Sequence, residues 1–129
     1  MNQSNTNFRL AWGWNEFFEK QLTDSDGVIG RVVGEEKNRW RIQISEDQVV
    51  WAELPGKYRY QSHSRMELPS VGDWVACRYE EHQSAALLQR VFERQTCLYR
   101  KAVGGGTEAQ ILASNVHFAL ILTSANADL

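Results

Sequence analysis

The spacing of apolar residues along the chain changes character three times. Residues 1–7 are polar and aperiodic, which predicts an unstructured tail. Leu10, Trp14, Phe18 and Leu22 then fall four apart, with Phe17 beside them. That is one face of a short amphipathic helix, ended by Thr23-Asp24-Ser25-Asp26-Gly27. Its polar face carries Glu16, Glu19 and Lys20 rather than a basic stripe. The expectation is therefore an arm that plugs a barrel mouth, not a membrane-surface helix.

Two-residue alternation comes next. Five strand-like runs cover 28–33, 39–44, 48–54, 74–79 and 86–92. The clearest places Trp40, Ile42 and Ile44 on one side and Arg39, Arg41 and Gln43 on the other. Val75, Cys77 and Tyr79 share a face, as do Leu88 and Phe92. Gly30, inside the first run, marks a bulge or tight bend of the kind a small barrel needs. The longest gap falls between the third and fourth runs, which fits a mainly β, five-stranded Greek-key barrel of the oligonucleotide-binding type. An SH3-like barrel is the competing fold.

Beyond Glu93 the alternation stops. Residues 94–101 are mixed and polar, and Gly104-Gly105-Gly106 reads as a flexible joint. Thr107 and Gln110 have capping-box spacing, which predicts a short helix through Ser114. Residues 116–123 are nearly continuous apolar, the pattern of a strand buried on both faces of an α/β sheet. The expected division is a tail and arm over 1–26, a barrel over 27–93, a linker over 94–110 and the start of a truncated second domain over 111–129.

The long connection changes the functional picture. Leu54-Pro-Gly-Lys-Tyr-Arg-Tyr-Gln-Ser-His-Ser-Arg65 contains no acid and interleaves cations with rings. Lys57, Arg59 and Arg65 offer phosphate attraction, and Tyr58, Tyr60 and His63 offer base stacking. Arg39 and Arg41 share one strand face and extend this patch; Arg100 and Lys101 add to it or bridge to the next domain. The bland alternative for each cation is a solvated surface side chain. Trp40, Trp51 and Trp74 are expected in the core, with a stacking platform on the barrel face as the alternative that sequence leaves open.

Composition bounds these readings. The chain of 129 residues is 43% hydrophobic with a net charge of −2, so any basic patch is local. Its two cysteines, Cys77 and Cys97, lie outside any CxxC or Cys/His ligand spacing, so no metal site is expected. The N-terminus lacks signal-peptide character, and the run 118–122 is too short to cross a membrane. The cytoplasm is the expected location. No nucleophile stands beside a base, and His82 and His117 are isolated.

Several motifs in order carry a resemblance. Pro69-Ser-Val-Gly-Asp-Trp-Val75, Gln95-Thr-Cys-Leu-Tyr-Arg-Lys-Ala-Val-Gly104, Thr107-Glu-Ala-Gln-Ile-Leu-Ala-Ser-Asn-Val116 and Leu122-Thr-Ser-Ala-Asn126 together resemble the ribosome small-subunit-dependent GTPase A family. His117 and Gly106 depart from its usual pattern. The resemblance implies an oligonucleotide-binding barrel, then a circularly permuted GTPase domain and a zinc-binding tail. It implies action late in maturation of the small ribosomal subunit, with that subunit and its rRNA as partners, and neither DNA nor membrane. GTP, magnesium and zinc are implied for a full-length member only. These residues contain no GxxxxGK[ST] and no guanine-reading motif, and Gly104-Gly-Gly-Thr-Glu108 lacks the phosphate-binding Lys. The 129 residues alone are therefore expected to hold no cofactor and to hydrolyse no GTP. A monomer is expected, with the unpaired strand 116–122 a route to dimers. Two alternatives stand beside this reading: a protein-interaction barrel without RNA binding, and a stand-alone truncated paralogue.

Overall fold

The computed structural model describes residues 3–56, 67–79, 83–101 and 109–124. Five strands close into a barrel: β1 (Val28–Glu36), β2 (Arg39–Ser45), β3 (Gln48–Glu53), β4 (Trp74–Arg78) and β5 (Ala86–Val91). The order round the barrel is β1-β2-β3-β5-β4, returning to β1. Every pair is antiparallel except β3 with β5, which meet at Ala52↔Ala86 and Glu53↔Leu87. This closed Greek key is the oligonucleotide-binding barrel, so the SH3-like alternative falls away.

Alternation explains the interior. Val32, Trp40, Ile42, Ala52, Val75, Cys77, Ala86 and Leu88 fill the barrel, each from the inward side of its strand. The Trp40 indole reaches across to donate to the Pro69 carbonyl at 3.0 Å, so its one polar atom is satisfied within the core. Burial pushes the Cys77 thiol up to about 12.

The β1–β2 connection is tighter than the alternation suggests. β1 runs on to Glu36, and the chain reverses over Lys37 and Asn38, whose φ values are 45° and 65°. Two successive left-handed residues make the primed turn that suits the twist of a hairpin. The bulge lies between Val32 and Gly34, not at Gly30. Gly30 instead answers a close approach, for a Cβ there would collide with the Ile42 side chain.

The N-terminal arm corrects the sequence reading in two ways. It is two helices, α1 (Gln3–Ala11) and α2 (Glu16–Glu19), broken at Gly13, where φ is +101°. Helix thus begins inside the polar stretch 1–7 instead of after it. The arm also does not plug the mouth. Phe8, Trp14 and Phe18 pack with Ile29, Trp74, Ala76 and Phe92, on the opposite side of β4 from Val75 and Cys77. This is the outer wall of the barrel, covered by edge-to-face rings: Trp14 lies 5.1 Å from Trp74 and 5.5 Å from Phe92. Leu10, which the spacing places on the buried face, is exposed, and Phe8 takes its place. Leu88 and Phe92 part company because β5 slips register against β4 between Ala76 and Cys77; Leu88 points inward, while Phe92 joins the outer cluster.

Past the barrel, β6 (Cys97–Lys101) and β7 (Ala109–Ser114) form a separate two-stranded antiparallel ribbon. A strand therefore stands where the capping-box spacing predicts a helix. The ladder wins because Leu98 pairs with Ala113 and Tyr99 with Ile111, and because the end of β7 is bonded to the barrel. The apolar run after it forms no strand over 116–123; Phe118 is 91% exposed and Leu122 96%. With no ladder partner among the described residues, its pattern has nothing to pair against.

Candidate nucleic-acid interface

Two arginine-containing clusters stand out among the described residues, one exposed and one buried, and they are built differently. The first lies on the outer side of β2 and β3. Arg39 and Arg41 project from β2, and Trp51 lies directly across the ladder from Arg41. The Arg39 guanidinium sits 3.9 Å from the centre of the Trp51 ring, and that of Arg41 sits 6.0 Å away. Such contacts hold cations in place without neutralising them, which an acid would do. Gly34, opposite Arg41 on β1, makes room: a Cβ there would lie 2.8 Å from Arg41 Nε and Nη2. Glu36 and Glu53 pair with Arg39 in the ladders on either side and moderate its field. Lys37, exposed at the β1–β2 turn, adds a third cation at the edge.

Trp51 is thus not a core residue, contrary to its assignment by residue type; it is half-buried, whereas Trp40 and Trp74 are fully buried. The local signal misleads if taken alone: counting across the two-residue turn Glu46-Asp47 would set Trp51 opposite Ile42, and the irregularity between Gln43 and Ser45 moves it opposite Arg41 instead. Lys37 escapes a sequence reading because a turn cation has no periodicity. Of the predicted contact residues, Arg39 and Arg41 are brought together. Arg100 and Lys101 are exposed on β6, on a different sheet, where Arg100 Nε donates to Gln110 Oε1 at 3.0 Å. Lys57, Tyr58, Arg59, Tyr60, His63 and Arg65 lie outside the described residues, as do His82 and the Gly104–Gly106 joint.

The second cluster is a buried clasp. Asp73 is fully buried and accepts four hydrogen bonds: from the Ser70 amide at 2.7 Å, from Arg94 Nε and Nη2 at 2.8 Å each, and from the Ser114 hydroxyl at 2.5 Å. The bidentate contact with Asp73 raises the Arg94 pKa despite burial. Asn115, at φ 53°, donates its side-chain amide to Gly72 O at 3.0 Å and accepts from the Gln95 amide at 2.8 Å. Gly72, at φ +98°, lies so close that a Cβ would collide with the Ser114 carbonyl oxygen. The Ser114 amide bonds Val71 O and the Asn115 amide bonds Thr96 O. The polar side chains of this cluster all have protein partners, which describes a joint and not a binding surface.

No family model matches the chain. Among curated proteins it is 36% identical over 122 residues to "Small ribosomal subunit biogenesis GTPase RsgA 1" of Oceanobacillus iheyensis, covering 89% of this chain and 34% of that protein. It is 31% identical over 120 residues to "Small ribosomal subunit biogenesis GTPase RsgA 2" of Lactiplantibacillus plantarum, covering 92% and 33% respectively. The chain belongs to the RsgA family, in its N-terminal part. It spans about a third of the length of these RsgA relatives. A solved structure of YloQ, a circularly permuted GTPase, aligns with 54% of this chain and 24% of its own at 20% identity and a TM-score of 0.43.

Three of the four stretches that carry the RsgA resemblance meet at the clasp. Ser70, Gly72 and Asp73 come from the first motif, Gln95 and Thr96 from the second, and Ser114 and Asn115 from the third. The resemblance therefore resides in how the ribbon is joined to the barrel. The arginine face on β2 and β3 lies outside those motifs.

Proposed function

We propose that this chain is the RNA-docking barrel of a GTPase that acts in maturation of the small ribosomal subunit. The observation that carries the reading is the Arg39–Trp51–Arg41 face, displayed on the strands with which such barrels bind oligonucleotides. The names of the RsgA relatives supply the target, the small ribosomal subunit, and its rRNA is the ligand. Arg39, Arg41 and Lys37 contact phosphates, while Lys57, Arg59 and Arg65 with Tyr58, Tyr60 and His63, which follow β3 in the sequence, extend the contact. GTP turnover, with its magnesium, belongs to sequence outside these residues, and the setting is the cytoplasm.

Co-sedimentation with purified small subunits at low and moderate salt tests this. Binding is expected to fall steeply with salt, and the slope of log K against log salt to drop by about one for each phosphate contact removed. Arg39→Ala/Arg41→Ala and Lys57→Ala/Arg59→Ala/Arg65→Ala should each lower it. Absence of binding at low salt would overturn the reading. Binding that ignores salt would favour a protein partner instead, because apolar contacts release no counterions.

A further inference from the structure

Arg31 belongs neither to the barrel interior nor to the proposed RNA face, yet it touches three separated parts of the chain. It leaves β1 beside the Trp74 ring, 5.8 Å from its centre. Nε donates to Gly72 O at 3.0 Å, Nη1 to Trp12 O at 2.6 Å and Nη2 to Asn115 O at 2.9 Å. One acceptor lies in the arm, one in the turn before β4, and one just after β7. All three are neutral backbone carbonyls, and the guanidinium is half-buried.

The arm and the segment after the ribbon also meet at this point. Gly13 turns the chain at φ +101°, and a Cβ built on it would lie 3.1 Å from Arg31 Nη1 and 3.6 Å from His117 Cε1. A charged donor that loses a buried acceptor costs more than the mean worth of its hydrogen bond, so each acceptor makes the other two worth keeping. If the arm lifts away, Nη1 loses Trp12 O and the wall that holds the guanidinium flat. The side chain then has reason to turn to water, and Asn115 loses its tie to β1.

We propose that Arg31 is a latch coupling the N-terminal arm to the β6–β7 ribbon, so that loosening either from the barrel loosens the other. The consequence reaches beyond the ribbon. Asn115 directs the chain into the exposed apolar residues Phe118, Leu120, Ile121 and Leu122. A partner that engages the arm would shift how that apolar segment is presented, and by reciprocity a partner on the segment would shift the arm.

Native-state hydrogen exchange on the full chain tests the latch. Trp14→Ala undoes the aromatic anchor of the arm without touching Arg31's acceptors. It is expected to speed exchange of the Ser114 and Asn115 amides by about fivefold or more. In an Arg31→Lys background the same Trp14→Ala change should leave those two rates unaltered. Unchanged rates with Arg31 present, or equal acceleration with and without it, would overturn the proposal. The β2 amides report whether Arg31→Lys keeps its barrel. If it does not, the reverse measurement decides: Asn115→Gly should speed exchange of the Trp14 amide by a similar factor, and no change there would overturn the coupling.

Discussion

Arg39 and Arg94 both stack or fork against a fixed partner, yet they are put to opposite uses. Arg94 is largely buried, and a fully buried carboxylate takes up its fork. Arg39 lies in the open on an indole ring. The acid cancels the first charge and turns it into a joint. The ring steadies the second and leaves it available to a phosphate. Residue type is the same in both; the partner and the access of water separate scaffold from surface.

Asp73→Ala should have the largest effect of any change at these two arginines. It leaves Arg94 buried without its acid and should cost about 3–5 kcal/mol in chemical denaturation. Arg39→Ala should cost less than about 1 kcal/mol, the worth of an exposed cation–π contact. Similar losses for the two would erase the distinction between clasp and face. Next in size is Gly72→Ala. Strain at φ +98° and the collision with Ser114 should cost about 1–3 kcal/mol, and the loss should appear as faster exchange in β7 while β2 stays protected. Were the barrel amides to open equally, the clasp would be part of the barrel's own stability and not a joint.

The double change Arg39→Ala/Arg41→Ala sharpens the other side. RNA binding should weaken and its salt slope fall by about two, with the melting temperature nearly unchanged. A smaller effect comes from Asp26, whose carboxyl is held below the usual range first by the hydrogen bonds from Arg90. A lowered carboxyl pKa adds stability that is full above the unfolded value near 3.9 and is lost as pH falls through the folded value. Asp26→Asn should therefore reduce stability at pH 7 and flatten its decline in acid, as followed by denaturation at several pH values. An unchanged acid profile would mean that this pair contributes as little as an ordinary surface ion pair.

How much can be read from residues alone differs between the two regions. Arg39 and Arg41 are visible as the polar side of the most regular strand. Trp51 is not, because its side depends on the irregularity between Gln43 and Ser45; without that shift it would pair with Ile42 and point inward. The clasp is present in the sequence as motif after motif without any hint of its purpose. Asp73 and Ser114 lie 41 positions apart, and no local pattern announces that they meet.

The five barrel strands are written in local pattern alone, since two-residue alternation comes from one buried and one wet face on each. Tertiary structure decided where the arm packs, because the outer wall at Trp74 and Phe92 exists only after β4 and β5 have paired. It decided likewise that residues 109–114 extend as β7 rather than coil, for a ladder with β6 and bonds to Val71 outweigh the slight preference of a cap. Local propensities are worth tenths of a kcal/mol per residue; a closed ladder and a buried carboxylate are worth several.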